Sequence, residues 1–103
     1  MSVKPPLLPP GVINDFSLKW KDLTDLVFVD GALSAKTKEL IAVAAAHVTL
    51  CDFCIAVHTA RAVKFGATKS EITEAIWVGI AMRTAAAVVR SRSAFSTIEK
   101  MGL

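Results

Sequence analysis

The sequence predicts an all-α fold, and three observations carry that prediction. Apolar residues recur at helical spacing in several segments, helix start and stop signals fall between those segments, and strand signals are missing. There is no sustained alternation of apolar and polar residues, and no Asn-Gly or Asp-Gly turn joins two alternating runs.

Residues 1–12 hold all four prolines and cannot form a helix interior, so they read as an extended arm ahead of a single helical domain over residues 13–103. Asn14 is a candidate N-cap. Phe16, Trp20, Leu23 and Val27 then recur on one face, Lys19, Lys21, Asp22 and Asp25 lie opposite, and Asp30-Gly31 ends this amphipathic first helix. Ser34 can cap a second helix, whose Leu40 to Leu50 portion is apolar nearly all round and so suits a core position. A third runs from about Cys51 to Phe65, with Gly66 as its stop. Thr68 and Glu71 have the spacing of a capping box. They open a fourth helix that carries Ile72, Ile76 and Ile80 on one stripe and continues through Ala85-Ala86-Ala87. A short last helix bears Phe95, Ile98 and Met101. No internal repeat is visible.

Length and composition narrow the function. One domain's worth of chain, 103 residues, leaves no room for a separate cofactor domain. Hydrophobic residues make up 53% of it, and with glycine added the share exceeds the roughly 45–50% usual for a soluble domain. A folded monomer of this size exposes roughly 5,600 Å², so a lone chain this apolar would carry large greasy patches. A homo-oligomer is expected. A membrane would also absorb the surplus, but spanning takes about 20 consecutive apolar residues. Leu40–Cys51 contains His47, Ala75–Met82 is stopped by Arg83, and Thr84–Val89 by Arg90. No membrane partner is expected. The N-terminal prolines fall where a secretory signal needs a helical apolar core, which points to the cytoplasm.

Net charge is +3, yet the basic residues are scattered and interleaved with nine acids. Without a basic stripe, interleaved aromatics or a Gly-rich phosphate loop, nucleic acids and nucleotides are not expected partners. Arg83, Arg90, Arg92 and Lys100 read as a solvated helix face.

The chemistry concentrates in residues 39–58. The only two cysteines stand as Cys51-Asp52-Phe53-Cys54, with His58 four residues on. Helical i, i+3 spacing brings the two side chains to about 5–6 Å between Cβ atoms, and small adjustment in a first helical turn reaches the 3.5–4.5 Å range that a disulfide needs. Such a pair can cycle between dithiol and disulfide. A helix N-terminus offers unpaired N–H groups and partial positive charge, which favour thiolate, the species that attacks peroxide or disulfide sulfur.

His58 lies one turn beyond Cys54 on the same face and can serve that sulfur as base or counter-ion. Glu39 would be about 18 Å from Cys51 on one straight helix. A hairpin near residues 49–51 changes this: Glu39 then faces roughly Arg61, His58 faces roughly Ala42, and Glu39 and His58 come within about one turn, ~5 Å along the axis. Glu39 can then orient or protonate His58, with Cys54 as attacking sulfur and Cys51, toward the more exposed end, as the resolving one.

Glu39, eleven residues, Cys51-x-x-Cys54 and x-x-x-His58 together resemble the signature of the alkylhydroperoxidase D-like proteins within the carboxymuconolactone decarboxylase family. Lys36-Thr37-Lys38-Glu39-Leu40, His58-Thr59-Ala60-Arg61 and Gly66-Ala67-Thr68 support the likeness, which covers about residues 35–90. The resemblance implies a helical core assembled into trimers or hexamers. It also implies a peroxidase cycle in which the pair reduces a hydroperoxide, closes to a disulfide and is reopened by a thiol reductant protein. By position, Cys54 is the peroxidatic residue, Cys51 the resolving one, and Glu39 and His58 the proton relay, with no cofactor and no metal. The family's best-known peroxidase has a further histidine between its cysteines, where Phe53 stands here, so the relay is one member short. His47, one turn before Cys51, could replace it, but a lone histidine on an apolar helix reads first as a hydrogen-bonded structural residue.

Other readings are weighed against this one. The cysteines could be two buried small hydrophobes. Zinc could take His47, Cys51, Cys54 and His58, although on one helix they span ~16 Å, far beyond coordination distance. Haem attachment fails because Ile55 follows Cys54. Trp20, Trp77 and Phe53 read as core or interface filler. A cofactor-free decarboxylase is the alternative enzyme, against which the cysteine pair counts, since the family's decarboxylases lack it. A non-catalytic oligomeric scaffold or partner-binding protein is the third reading.

Overall fold

A computed structural model describes residues 9–103, and among them five helices and no strand are present. The helices are α1 (Pro10–Val27), α2 (Ala35–Thr49), α3 (Asp52–Lys64), α4 (Lys69–Arg90) and α5 (Arg92–Lys100). The all-α expectation is met. The expected arm over residues 1–12 lies mostly outside the described residues.

Where it is described, it departs from expectation, because α1 begins at Pro10 rather than at Asn14. Pro10 sits in the first turn, where its missing N–H would have no intrahelical partner anyway and its fixed φ suits the helix. Asn14 is therefore an interior residue. The other end also moves: α1 stops at Val27, before Asp30-Gly31. Asp30 instead accepts a hydrogen bond from the Ala35 N–H at 2.7 Å, joining Ser34, whose Oγ accepts from Thr37 N–H at 3.1 Å, in tying down the start of α2.

α2 and α3 form the expected hairpin. α2 closes with the Cys51 N–H bonded to the Ala46 carbonyl, the six-to-one bond of a Schellman ending, and Leu50 takes the left-handed conformation (φ 56°, ψ 43°) that such an ending requires. α3 ends the same way, with Ala67 N–H on the Ala62 carbonyl, but there the left-handed position is Gly66 (φ 90°). The same turn is thus built once with the residue that fits it and once with a residue that carries a Cβ penalty. Thr68 and Glu71 make the full capping box that starts α4.

α2 is the central element, flanked by antiparallel α3 and by α4, which runs parallel to it. Lys36 meets Glu71 at one end, at 3.0 Å. Arg83 donates to the Val48 carbonyl at the other, at 3.0 Å, satisfying a C-terminal carbonyl of α2. Arg83 is exposed, as a solvated-face residue should be, but it has this structural role as well. Between these ends Gly79 is buried against α2, and a Cβ there would overlap the Ala44 carbonyl oxygen and lie 3.0 Å from the His47 Cβ. Glycine is what lets the two helices approach. The buried core is small: Ala35, Val43, Ala46, Ala62, Ala67 and Ile72, with Leu40 and Ile76 packed beside it.

Much apolar surface stays uncovered. Ile41 and Leu50 of the α2 region are exposed, so the expected core helix is buried on two sides only. Every residue from Ala81 to Leu103 is exposed, including Phe95 and Ile98, and Trp77 is 63% exposed, so of the two expected roles, core or interface filler, it does not fill the core of one chain. The chain exposes 7806 Å² and has a radius of gyration of 18.1 Å, against roughly 5,600 Å² and ~13 Å for a folded monomer of this length. The segment Lys69–Lys100 is also long and apolar enough to cross a membrane by length and composition alone, a point that counting uninterrupted runs did not bring out. One of its faces already packs on α2 through Ile72 and Gly79.

Candidate active site

The hairpin brings the singled-out residues together. Cys51 occupies the N-cap of α3, and its Sγ accepts from the Cys54 N–H at 3.2 Å, so one sulfur takes the role that a Ser or Asp oxygen usually has. Cys54 stands three residues on, in the first turn. Their Cα atoms are 5.2 Å apart and the two sulfurs are joined in a disulfide. The pair thus sits at the N-terminus of α3, with its Cα atoms inside the range that a disulfide spans.

Glu39 is the most buried charged residue described, with no exposed surface, and it is held from both sides. His58 Nδ1 lies 2.6 Å from its Oε2, and Arg61 donates from Nε to its Oε1 at 2.6 Å. The register that set Glu39 opposite Arg61 and within about one turn of His58 is met by direct contact with both. A carboxylate oxygen accepts, so the Nδ1 that faces it is the ring nitrogen that donates. Nε2 lies on the opposite edge of the ring. His58 and Cys54 are one turn apart on the same face, and both line a cleft of about 290 Å³ with Trp20, Phe53, Val57 and Arg61. Cys51 is not among the residues lining it. Both cysteines are half-buried, so exposure does not separate them; the cleft does.

Three participants were not legible as such. Arg61 has no assigned role in the sequence, although the register sets Glu39 opposite it and it belongs to the family-like His58-Thr59-Ala60-Arg61 segment; it is the second partner of Glu39. Phe28 stacks on the His58 ring at 4.9 Å between centroids, with the Arg61 guanidinium 5.9 Å over the same Phe28 ring. Lys38 donates to the carbonyls of Val27 at 2.9 Å and Val29 at 2.7 Å, on either side of Phe28. Trp20 and Phe53, expected as core or interface filler, line the cleft. Spacing could have suggested Arg61, one turn after His58; nothing in the sequence pointed to Phe28.

His47 has a hydrogen bond within its own helix. Its Nδ1 lies 2.7 Å from the Val43 carbonyl, one turn back on its own helix, and it is not among the cleft-lining residues. Among the described residues, no group of three or more His, Cys, Asp or Glu side chains is arranged to hold a metal ion.

Comparison with known proteins agrees with this architecture. Residues 15–96 match the model of the carboxymuconolactone decarboxylase family. An uncharacterised protein of the cox locus of Paracoccus denitrificans is 47% identical over 79 residues, covering 77% of this chain and 71% of that protein. An uncharacterised protein of Cupriavidus necator is 43% identical over 53 residues, 52% of this chain and 47% of that one. Among solved structures, a carboxymuconolactone decarboxylase family protein of Thermotoga maritima, for which an antioxidative role has been suggested, is similar with a TM-score of 0.62 and 32% identity. The likeness covers 82% of this chain and 88% of that chain. A family member from Legionella pneumophila is similar at a TM-score of 0.65 and 30% identity, covering 87% and 80%.

Proposed function

Because the chain belongs to the carboxymuconolactone decarboxylase family, we propose that it is that family's thiol-dependent peroxidase type, an alkyl hydroperoxide reductase working through the Cys51/Cys54 pair. The observation that carries this reading is the meeting at one cleft of a disulfide-forming cysteine and a histidine whose Nδ1 is held from behind by a fully buried carboxylate. An inert pair of small hydrophobes would need none of it.

In the cycle, His58 Nε2 accepts the Cys54 proton and the thiolate attacks the terminal peroxide oxygen. The O–O bond breaks, Cys54 becomes a sulfenic acid, and the leaving alkoxide takes the proton from His58, so one hydroperoxide gives one alcohol. The Cys51 thiol then attacks the Cys54 sulfur, forming the disulfide and releasing water. A partner dithiol restores the pair by exchange and leaves as its own disulfide. Cys54 is the attacking sulfur because it shares the cleft with His58, and Cys51 resolves from the N-cap. Glu39 and Arg61 do not meet the substrate in this scheme; they fix the imidazole.

The uncovered apolar faces of α1, α4 and α5 support a homo-oligomer, of trimeric or hexameric type as in the family, in which neighbouring copies cover these helices. A reducing compartment such as the cytoplasm would supply the partner dithiol. The test is hydroperoxide consumption by the fully reduced protein. Cumene hydroperoxide should be consumed with loss of both thiols, Cys54→Ser should abolish this, and Cys51→Ser should stop at a Cys54 sulfenate. Two thiols that survive excess hydroperoxide would overturn the reading.

A further inference from the structure

His58 is fixed along one edge by Glu39, but a single hydrogen bond to Nδ1 leaves the ring free to swing about that bond. The second constraint comes from outside the hairpin. Phe28 lies in the connection between α1 and α2, and its ring covers the imidazole with planes 27° apart and centroids 4.9 Å apart. An edge contact and a face contact together leave one ring orientation.

That connection is itself stapled. Lys38 Nζ binds the carbonyls of Val27 and Val29, which bracket Phe28. Gly31 N–H bonds the Leu33 carbonyl, and Asp30 receives the Ala35 N–H. Lys38 is the residue before Glu39, so one turn of α2 carries both the carboxylate that holds the imidazole edge and the ammonium that holds the aromatic lid on its face. The Arg61 guanidinium lies 5.9 Å from the Phe28 centroid and adds a second contact to that ring.

We propose that Phe28, pinned by Lys38, is a positioning residue for His58: it keeps the ring in the Nδ1–H tautomer on Glu39 with Nε2 turned to Cys54. This rests on the peroxidase reading for its rate consequence, but not for its structural one. It also gives the connection after α1 a share in the site, although α1 itself adds only cleft wall.

The experiment uses the full, reduced chain labelled with ¹⁵N at histidine, in which His58 and His47 are the only two reporters. Long-range ¹H–¹⁵N correlation at mildly alkaline pH, where imidazole is neutral, reads the tautomer of each ring. Native protein should show His58 as Nδ1–H. Phe28→Ala and Lys38→Met should turn it into a mixture with the ordinary Nε2–H form while His47 keeps its signature. Phe28→Tyr and Lys38→Arg should restore the native pattern. Single-turnover oxidation of Cys54 by saturating cumene hydroperoxide should slow by about 10–100-fold in the first two variants and by less than about 3-fold in the conservative ones. If Phe28→Ala fails to fold by circular dichroism, Lys38→Met, which removes no aromatic surface, decides. A pure Nδ1–H signal at native rate in Lys38→Met and in folded Phe28→Ala overturns the proposal. If native protein leaves cumene hydroperoxide untouched while Lys38→Met still scrambles the tautomer, the positioning role stands and the peroxidase reading falls.

Discussion

Glu39→Gln separates what the buried carboxylate does for the fold from what it does for the chemistry. Glutamine keeps the shape, and its carbonyl oxygen can accept from Arg61 Nε while its amide donates to His58 Nδ1, provided that the histidine moves its hydrogen to Nε2. Both contacts of the buried side chain are then kept. The stability cost is the difference between charged and neutral hydrogen bonds. The Arg61 side of it is small because that side chain is 39% exposed and can turn to water. The His58 side, with a ring only 13% exposed, costs about 1 kcal/mol. At about 4–8 °C per kcal/mol for a domain of this size, Tm falls by roughly that interval. Catalysis suffers far more, because Nε2 now carries a hydrogen toward Cys54 and cannot accept its proton. A base held in the wrong tautomer loses on the order of 10³–10⁴ in rate. Glu39→Ala strands both partners and costs about 2–4 kcal/mol. Stopped-flow oxidation of Cys54 and thermal melts of the two variants make the comparison. Native oxidation rate in Glu39→Gln, or equal melting of Glu39→Gln and Glu39→Ala, would refute the tautomer reasoning.

Other outcomes follow from particular contacts. Gly79→Ala pushes a Cβ into the Ala44 carbonyl and should cost about 2 kcal/mol by forcing α2 and α4 apart; an unchanged urea midpoint would contradict that packing. Leu50→Gly relieves the left-handed Cβ penalty at an exposed position and should stabilise by about 0.5–1 kcal/mol in the same assay. Hydrogen bonding to the Thr68 backbone, then to Lys36, holds the Glu71 carboxyl below its ordinary value of 4.5. Its contribution is therefore present above 4.5 and lost as pH falls through the lowered folded value. The gap in urea midpoint between native protein and Glu71→Gln should close below that value. Val88→Glu places a charge on the uncovered face of α4 and should shift the assembly toward monomer by light scattering coupled to gel filtration, whereas a native chain that is already monomeric would contradict the assembly.

The helices, their caps and the hairpin were legible because each has a local cause: a Ser34 or Thr68 cap, a Gly66 stop, a helical apolar period. The facing of Glu39 and Arg61, with His58 within about one turn, was legible too, since a hairpin about residue 50 fixes register by counting turns. Local signals failed where tertiary partners decide. Asn14 looks like a cap, but Pro10 can open the helix earlier and lengthen α1. Asp30 looks like a stop, but its carboxylate is taken by the next helix. Phe28 and Lys38 meet His58 and the α1 end only because the connection folds back over α2 and α3, a path that no periodicity encodes. Trp77 looks like core or interface because it is large and apolar. In one chain it is surface, and its burial would have to come from a second copy.

The central claim is that Cys54 is the sulfur that reduces a hydroperoxide and that Cys51 closes the disulfide behind it. Its most direct measurement is the stoichiometry and site of a single turnover: fully reduced protein mixed with one equivalent of cumene hydroperoxide, quenched with a thiol-blocking reagent, and weighed by mass spectrometry peptide by peptide. One alcohol formed per Cys51–Cys54 disulfide, with the Cys51→Ser variant gaining one oxygen at Cys54, is the predicted result. Oxygen found at Cys51 in Cys54→Ser at the native rate, or hydroperoxide lost with both thiols still free, would contradict it.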